Sequence, residues 1–293
     1  MGDFNILSLF IFNFEIMKRF IRHTACFSAL TLVVLLICES IYYYSAAYQS
    51  KVNGWEVYSA IKQSKKVHKN KKKLILGDSV AMQLFPCDRD NDSIISLACN
   101  QAVSLAGYYF LLTNYVKENR EDLPEEVILL INPLTLRNDL DQFAFHYFLK
   151  PFYNAEYKER FSGELITRCK QIPFYWASQI PFIRSSSYSI SYDLPLECYH
   201  LASPITQEYF RRILVICSQT NIAFRLVSVP VNIDKQAMIN DLFRQSIDAN
   251  ELPEDLMRAF QQNVSYYPSS DFKDKIHLTD SALVKVDRNK FIQ

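Results

Sequence analysis

Four short apolar segments, separated by stretches with helical periodicity, constrain the fold of this chain more than any other feature. The apolar segments are LILG (74–77), SIISLA (93–98), EEVILLINP (125–133) and AFRLVSVPV (223–231). Apolar residues recur at helical spacing from residue 80, in the segment CNQAVSLAGYYFLLTNYVKEN, and at 206–221, 235–248 and 253–263. Alternating strands and helices predict an α/β fold, in which a parallel sheet carries helices on both faces.

The composition agrees with a globular domain and disfavours several functional classes. Hydrophobic residues make up 49% of the chain and charged residues 22%, as in ordinary globular proteins. The net charge of +1 gives no argument for nucleic acid, and we expect no nucleic-acid partner. The seven cysteines form no CxxC pair and no Cys/His cluster at zinc-ligand spacing, so we expect no metal site. A glycine-rich phosphate loop is absent, which disfavours a cofactor-binding protein, and we expect no cofactor.

An apolar segment near the N-terminus is long enough to cross a bilayer. From residue 24 to residue 41 it reads TACFSALTLVVLLICESI, with Glu39 as its only charge, and such a length suits a membrane span. Met17, which opens a short basic region, is a candidate natural start. The sequence therefore predicts a cytoplasmic segment at 1–23, a transmembrane anchor at 24–45, a linker at 46–71 and an α/β domain at 72–293.

Basic residues on the two sides of the anchor bear on its orientation. Lys18, Arg19 and Arg22 favour a cytoplasmic N-terminus by the positive-inside rule. The run KQSKKVHKNKKK (62–73) is also basic, but most of it lies beyond the distance at which that rule counts charges. We therefore expect a single-pass membrane protein whose domain lies on the non-cytoplasmic side, in the periplasm or at the outer surface. The basic run is either a solvated approach to the first strand or a contact with anionic lipid heads or an acidic glycan.

Residues 134–204 break the alternation of strands and helices. This stretch is rich in aromatic residues and prolines, as in DQFAFHYFLKPFYNAEY and IPFYWASQIPF. It predicts an insertion packed over one edge of the sheet. The insertion either forms a small satellite core or shapes a groove in which side chains such as Trp176 stack on sugar rings.

Ser79 ends the segment GDS (77–79), at the point where the first predicted strand turns into a helix. Its hydroxyl is either a helix N-cap, which accepts a bond from a backbone N–H, or a nucleophile beside donors that stabilise an oxyanion. In parallel sheets, functional sites gather at the carboxyl ends of the strands, and Ser79 occupies such an end.

A nucleophilic serine needs a base and a group that orients the base. His277 follows Asp274 by three residues in the segment DKIH, and this spacing lets the carboxylate reach Nδ1 while Nε2 faces a serine. Taken alone, the spacing is common, and a chance surface pair accounts for it better than a functional one. The other histidines are poorer candidates, because they flank the anchor, lie in the lysine run or lie in the insertion: His23, His68, His146 and His200.

The GDS segment and the DKIH segment together resemble the SGNH/GDSL hydrolase family over about residues 72–290. The resemblance implies a three-layer sandwich with a parallel, flavodoxin-like sheet, preceded here by one transmembrane helix. It also implies that Ser79 is the nucleophile, His277 the general base and Asp274 its orienting acid, with Asp78 a structural residue of the turn. The layout resembles a membrane-anchored, envelope-side bacterial subset of the family that is linked to acylation of exopolysaccharide or other wall polymers.

The middle of the chain departs from the family pattern, in which a glycine after the second strand and an asparagine after the third complete the oxyanion hole. Here Cys99, Asn100 or Gln101 occupies the second turn, and Asn132 comes early and Asn138 late in the third. Asn100 is either a weak oxyanion contributor or a helix cap.

Two functional hypotheses follow from these residues. In the first, the protein is a serine esterase or O-acyltransferase that acts on acylated cell-envelope polysaccharide through an acyl-enzyme at Ser79. In the second, it is a catalytically degenerate relative that binds glycan or serves as a partner in polysaccharide export. The first requires Ser79 Oγ within hydrogen-bond reach of His277, with Asp274 on the far ring nitrogen.

Overall fold

A four-stranded parallel sheet organises the domain. The computed structural model describes residues 4–44, 54–87, 93–140, 149–153, 155–172 and 199–293. The strands are β1 (Lys73–Gly77), β2 (Ile94–Ser96), β3 (Glu126–Ile131) and β4 (Ala223–Ser228). They pair in parallel in the order β2-β1-β3-β4, so β1 lies inside the sheet and its carboxyl end is flanked by the ends of β2 and β3. The predicted α/β architecture is confirmed.

Helices precede, connect and follow the strands. The α-helices are α1 (Phe4–Tyr44), α2 (Trp55–Ser64), α3 (Ser79–Leu84), α4 (Ser104–Glu118), α5 (Ala155–Lys158), α6 (Gly163–Gln171), α7 (Pro204–Gln219), α8 (Gln236–Asp248), α9 (Glu254–Gln262) and α10 (Asp280–Lys285). A second, two-stranded parallel sheet pairs β5 (Val231–Asn232) with β6 (Tyr266–Tyr267).

Both faces of the main sheet are covered, because successive side chains of a strand point to opposite faces. In β3, Val127 and Leu129 belong to a large apolar cluster that includes residues of α4 and α7. Ile128 and Leu130 belong to a second cluster that includes residues of α3 and α10. The uniformly apolar sequence of β3 therefore reflects burial on both faces.

The fourth predicted strand is shorter than the sequence indicated. The apolar run 223–231 divides into β4, which ends at Ser228, and β5, which begins at Val231 and pairs with β6 instead. Pro230 stands between them and has no N–H to continue the ladder. The prediction of one strand to residue 231 was wrong for this reason.

The N-terminal helix α1 contains a stretch that could span a membrane. Residues Phe14–Cys38 form a 25-residue segment of mean hydropathy 1.9, near the N-terminus and without buried side chains. This segment begins earlier than the predicted limits of 24–45. The helix runs back to Phe4 because no proline or glycine interrupts the preceding residues. By length and composition, α1 is compatible with membrane anchoring.

The described part of the aromatic insertion packs into the core. The ring of Phe110 on α4 lies 5.2 Å from that of Phe152 and 5.6 Å from that of Tyr157, between ring centroids. Phe152 and Tyr157 belong to the same apolar cluster as Val127 and Leu129 of β3, so the described part of the insertion extends the main core and is not a separate satellite core. Residues 141–148, 154 and 173–198 lie outside the described residues, and so do His146 and Trp176. The predicted sugar groove stays a prediction.

Candidate active site

Gly77 allows the tight turn that presents Ser79. A Cβ atom at this position would lie 2.4 Å from the Cβ of Ala81 and 2.5 Å from the carbonyl oxygen of Leu130. Only glycine lets β1, the start of α3 and the end of β3 approach so closely. The turn therefore places Ser79 at the tip of an interior strand, as the first residue of α3.

Asp78, rather than Ser79, is the N-cap of α3. Its buried carboxylate accepts four hydrogen bonds, from the backbone N–H groups of Val80 (2.9 Å), Ala81 (3.1 Å) and Asn132 (2.5 Å) and from the hydroxyl of Thr135 (3.2 Å). Burial raises the pKa of Asp78, and it prevails over these hydrogen bonds, which lower it. The N-cap interpretation of Ser79 was wrong, because its neighbour performs that role. The serine hydroxyl is left for another partner.

That partner is His277. The distance from Ser79 Oγ to His277 Nε2 is 2.8 Å, and His277 Nδ1 lies 2.7 Å from Asp274 Oδ2. An ionised carboxylate only accepts hydrogen bonds, so Nδ1 carries the proton that it donates to Asp274. Nε2 is then the acceptor of the Ser79 hydroxyl proton. The geometry required by the first hypothesis is met in both of its distances.

A local turn holds Asp274 in its ionised form. Its Oδ1 atom accepts from the backbone N–H of Ile276 at 3.1 Å and from that of His277 at 2.7 Å. Partial burial raises the pKa of Asp274, but the bonds from the His277 backbone, the His277 ring and the Ile276 backbone outweigh it and lower the pKa to about 2. The side chains of Asp274 and His277 remain 50% and 32% exposed, whereas Ser79 is 7% exposed.

The other described histidines lie elsewhere. The His68 ring is engaged by the carbonyl of Gln63 at 2.9 Å and stacks on Tyr115. His23 is exposed on α1, and His200 is an exposed residue at the end of the insertion. Among the histidines that the structure describes, His277 is the one that contacts Ser79.

Two asparagines follow β2 and β3, the strands on either side of β1. The Oδ1 atom of Asn100 accepts from the N–H of Ala102 at 3.0 Å, and that of Asn132 accepts from the N–H of Leu134 at 3.0 Å. Each side chain therefore caps a short 3-10 turn. Within the described ranges, neither Nδ2 group meets an acceptor, and the backbone N–H of Ser79 meets none either. The cap interpretation of Asn100 is confirmed, and its oxyanion role stays a prediction.

Asn132 is a candidate that the sequence did not favour. Its backbone N–H contacts the Asp78 carboxylate across 54 positions of the chain, so it is tied directly to the turn of Ser79. The signal that could have found it is its place immediately after β3, the strand beside β1. Asn138, the other asparagine of that segment, instead donates from Nδ2 to the carbonyl of Gln101 at 2.5 Å.

Comparison with known proteins gives a distant structural likeness but no family. No protein-family model matches the chain, and no curated protein matches it. The chain is similar to a solved structure from Streptococcus pneumoniae that carries the provisional name platelet activating factor. That likeness has 13% identity and a TM-score of 0.35, over 89% of this chain and 96% of the other.

The arrangement at the end of β1 can perform nucleophilic chemistry. A hydroxyl, a base that accepts its proton and a carboxylate that orients the base are aligned within hydrogen-bond distance. In the part of the chain that the structure describes, no cluster of three or more His, Cys, Asp or Glu side chains is arranged to hold a metal ion. The contacts of Ser79, His277 and Asp274 with one another fit the chemistry of a serine nucleophile with its own base.

Proposed function

We propose that the protein is a serine esterase or O-acyltransferase with Ser79 as the nucleophile, His277 as the general base and Asp274 as the acid that orients it. The observation that carries the proposal is the 2.8 Å distance between Ser79 Oγ and His277 Nε2. General-base catalysis requires such a distance, of roughly 2.6–3.2 Å. The 2.7 Å contact of Asp274 with the opposite ring nitrogen favours the tautomer that can accept the proton.

The reaction has two balanced steps. Ser79 Oγ attacks the carbonyl carbon of an acyl ester while its proton passes to His277 Nε2. The ester C–O bond then breaks, the leaving alcohol takes that proton, and the acyl group remains on Ser79. In the second step, water or a sugar hydroxyl gives its proton to His277 and attacks the acyl carbon. The bond from that carbon to Ser79 Oγ then breaks, Oγ takes the proton back from His277, and the free acid or the acylated sugar leaves.

The negative charge on the attacked carbonyl oxygen needs hydrogen-bond donors. The backbone N–H of Ser79 and the side-chain amides of Asn100 and Asn132 are the candidates, since no described residue accepts from them. Loss of one such donor costs on the order of hundredfold or more in rate. Asn132 is the stronger candidate, because its backbone is bonded to the residue that precedes the nucleophile.

The substrate class is the finer part of the proposal. Helix α1 would hold the domain at a membrane. Lys18, Arg19 and Arg22 favour a cytoplasmic N-terminus, which would put the domain on the non-cytoplasmic side. An acylated polysaccharide of the cell envelope would be within reach of a domain at that location. It is also the substrate class implied by the resemblance of the GDS and DKIH segments to the membrane-anchored subset of the SGNH/GDSL hydrolase family. Partners in polysaccharide export belong to the same proposal.

Turnover of a short acyl ester by the full chain in detergent tests the reaction. We expect Ser79→Ala to lower kcat/KM by at least about thousandfold. The matched control is Ser228→Ala, which removes a buried serine from the carboxyl end of β4 in the same sheet and should leave turnover unchanged. Equal turnover by wild type and Ser79→Ala would contradict the proposal, and no turnover by either would favour the degenerate alternative.

Adding an oligosaccharide acceptor separates transfer from hydrolysis. A transferase should release the leaving alcohol faster in its presence and give acylated sugar, since the acyl-enzyme is resolved by whichever nucleophile is held near it. An esterase should show an unchanged rate and the free acid as the sole acyl product.

A further inference from the structure

Gln83 lies on the nucleophile helix and contacts the loop that carries the base. It follows Ser79 by four residues on α3, so the two side chains lie on the same side of the helix, one turn apart. Its Nε2 group donates to the carbonyl of Leu278 at 3.2 Å, and its Oε1 atom accepts from the N–H of Leu278 at 3.1 Å. One carboxamide therefore binds both backbone groups of the residue that follows His277.

The N–H and C=O of Leu278 are available to Gln83 because of how the loop 271–279 pairs with itself. Phe272 and Leu278 form an antiparallel bridge, which is flanked by bonds from Lys273 N–H to the His277 carbonyl and from Thr279 N–H to the Asp271 carbonyl, both 2.9 Å. In such a pair, the N–H and C=O of the bridged residue point away from the partner strand. Those of Leu278 point to Gln83, whose amide takes the place of a neighbouring strand.

The apolar packing around this contact does not by itself determine where the loop lies along α3. Leu278 is buried in the same cluster as Val80 and Leu84 of α3, and apolar contacts are not directional. The two hydrogen bonds of Gln83 have a defined direction, and they join the loop to the helix at the residue next to the base.

We propose that Gln83 is a positioning residue that sets the distance between Ser79 and His277, an inference that rests on the proposed function. A side chain at position 83 must donate to the Leu278 carbonyl and accept from the Leu278 N–H, and it must be long enough to reach both groups. Asparagine is too short, and glutamate keeps the acceptor for Leu278 N–H but faces the Leu278 carbonyl with a second acceptor. Methionine has a similar length and neither bond.

The test compares Gln83→Met and Gln83→Glu with the control Gln207→Met in the full chain in detergent. Gln207 is also partly buried, and its Nε2 donates to a backbone carbonyl, that of Ala202, at 2.9 Å. The first measurement is hydrogen exchange of the peptide containing Leu278. Exchange should accelerate in Gln83→Met, which removes the acceptor of the Leu278 N–H, less in Gln83→Glu, which keeps that acceptor and loses only the donor, and not in Gln207→Met.

The second measurement is the rate at which a fluorophosphonate labels Ser79, in chains with His277 and in chains with His277→Ala. With His277 present, Gln83→Met should slow labelling by about ten- to hundredfold, the effect of a misplacement of about 1 Å. In the His277→Ala background the same substitution should change the rate by less than about twofold, because the pair would act as one unit. A merely structural role would slow labelling equally in both backgrounds.

The outcomes separate this inference from the proposed function. Unlabelled wild-type protein would contradict the proposed function. Labelled wild type with unchanged exchange at Leu278 in Gln83→Met would overturn the contact itself. Faster exchange with an unchanged labelling rate, or an equal loss in both backgrounds, would overturn the positioning role.

Discussion

The two halves of the candidate site are built in different ways. Ser79 is held by the sheet, because Gly77 fits against β3 and Asp78 binds both the start of α3 and the residue after β3. Asp274 and His277 are held by their own short loop, which lies largely in solvent. The position of the nucleophile therefore depends on long-range packing, whereas that of the base depends mainly on hydrogen bonds within its own loop.

The exposed half is nevertheless ordered by its sequence. The Asp274 carboxylate closes a turn by accepting the N–H groups of Ile276 and His277, and Lys275 takes a left-handed conformation with φ of 68°. That conformation is costly for a residue with a side chain. Two contacts tie this turn to the buried half, one from His277 to Ser79 and one from Leu278 to Gln83.

The largest effect should come from the residue that joins the two halves. His277→Ala removes the base, and we expect kcat/KM for a short acyl ester to fall by at least about thousandfold, or about 4 kcal/mol of transition-state stabilisation. The unfolding free energy should change by less than about 1 kcal/mol, because the ring is partly exposed. The control is His200→Ala, an exposed histidine away from the site. A retained rate in His277→Ala would contradict the role of His277 as the base.

In the buried half, Asp78→Ala should act on stability. Three backbone N–H groups and one hydroxyl lose their acceptor, and we expect a loss of about 3 kcal/mol in the free energy of unfolding, since buried unpaired donors are costly. Chemical denaturation measures it, with Ser228→Ala as the buried control. A loss below about 1 kcal/mol would show that the turn is held by apolar packing instead.

In the exposed half, Asp274→Ala should act on activity, less strongly than His277→Ala. Water can reach the ring nitrogen that Asp274 now contacts, so we expect kcat/KM to fall by about ten- to hundredfold, below the loss of about 10⁴ seen where a buried aspartate orients the base. The control is Asp280→Ala, an exposed aspartate three residues beyond His277. A loss as large as that of His277→Ala would mean that water does not reach this ring nitrogen when substrate is bound.

The smallest effect is the titration of Asp274. Its pKa is lowered from 3.8 to about 2, so its interactions in the folded state stabilise the protein above about pH 4 and are lost as the pH falls through 2. Carboxyl NMR should show a midpoint near 2. In His277→Ala the midpoint should rise only in part, because the bonds from two backbone N–H groups remain. An ordinary midpoint in the wild type would mean that the turn is open in solution.

The sequence predicted the parts of the molecule that local pattern determines and, through the resemblance of the GDS and DKIH segments, the contact between Ser79 and His277. Uniformly apolar sequence predicted the interior strands. The Asp-x-x-His spacing predicted that the Asp274 carboxylate contacts Nδ1 of His277, which involves only neighbouring residues. The sequence did not predict that Asp78 caps α3, that Asn132 contacts Asp78 or that Gln83 contacts Leu278. The last two contacts join residues 54 and 195 positions apart, and such pairing depends on how the strands are ordered in the sheet.

The most direct measurement of the central claim is the site of covalent modification. Wild-type full chain in detergent, treated with a fluorophosphonate, should carry one adduct on Ser79 by peptide mass spectrometry. Ser79→Ala should carry none, Ser228→Ala should be labelled like wild type, and His277→Ala should be labelled much more slowly. An adduct on a different serine, or none on the wild type, would contradict the account.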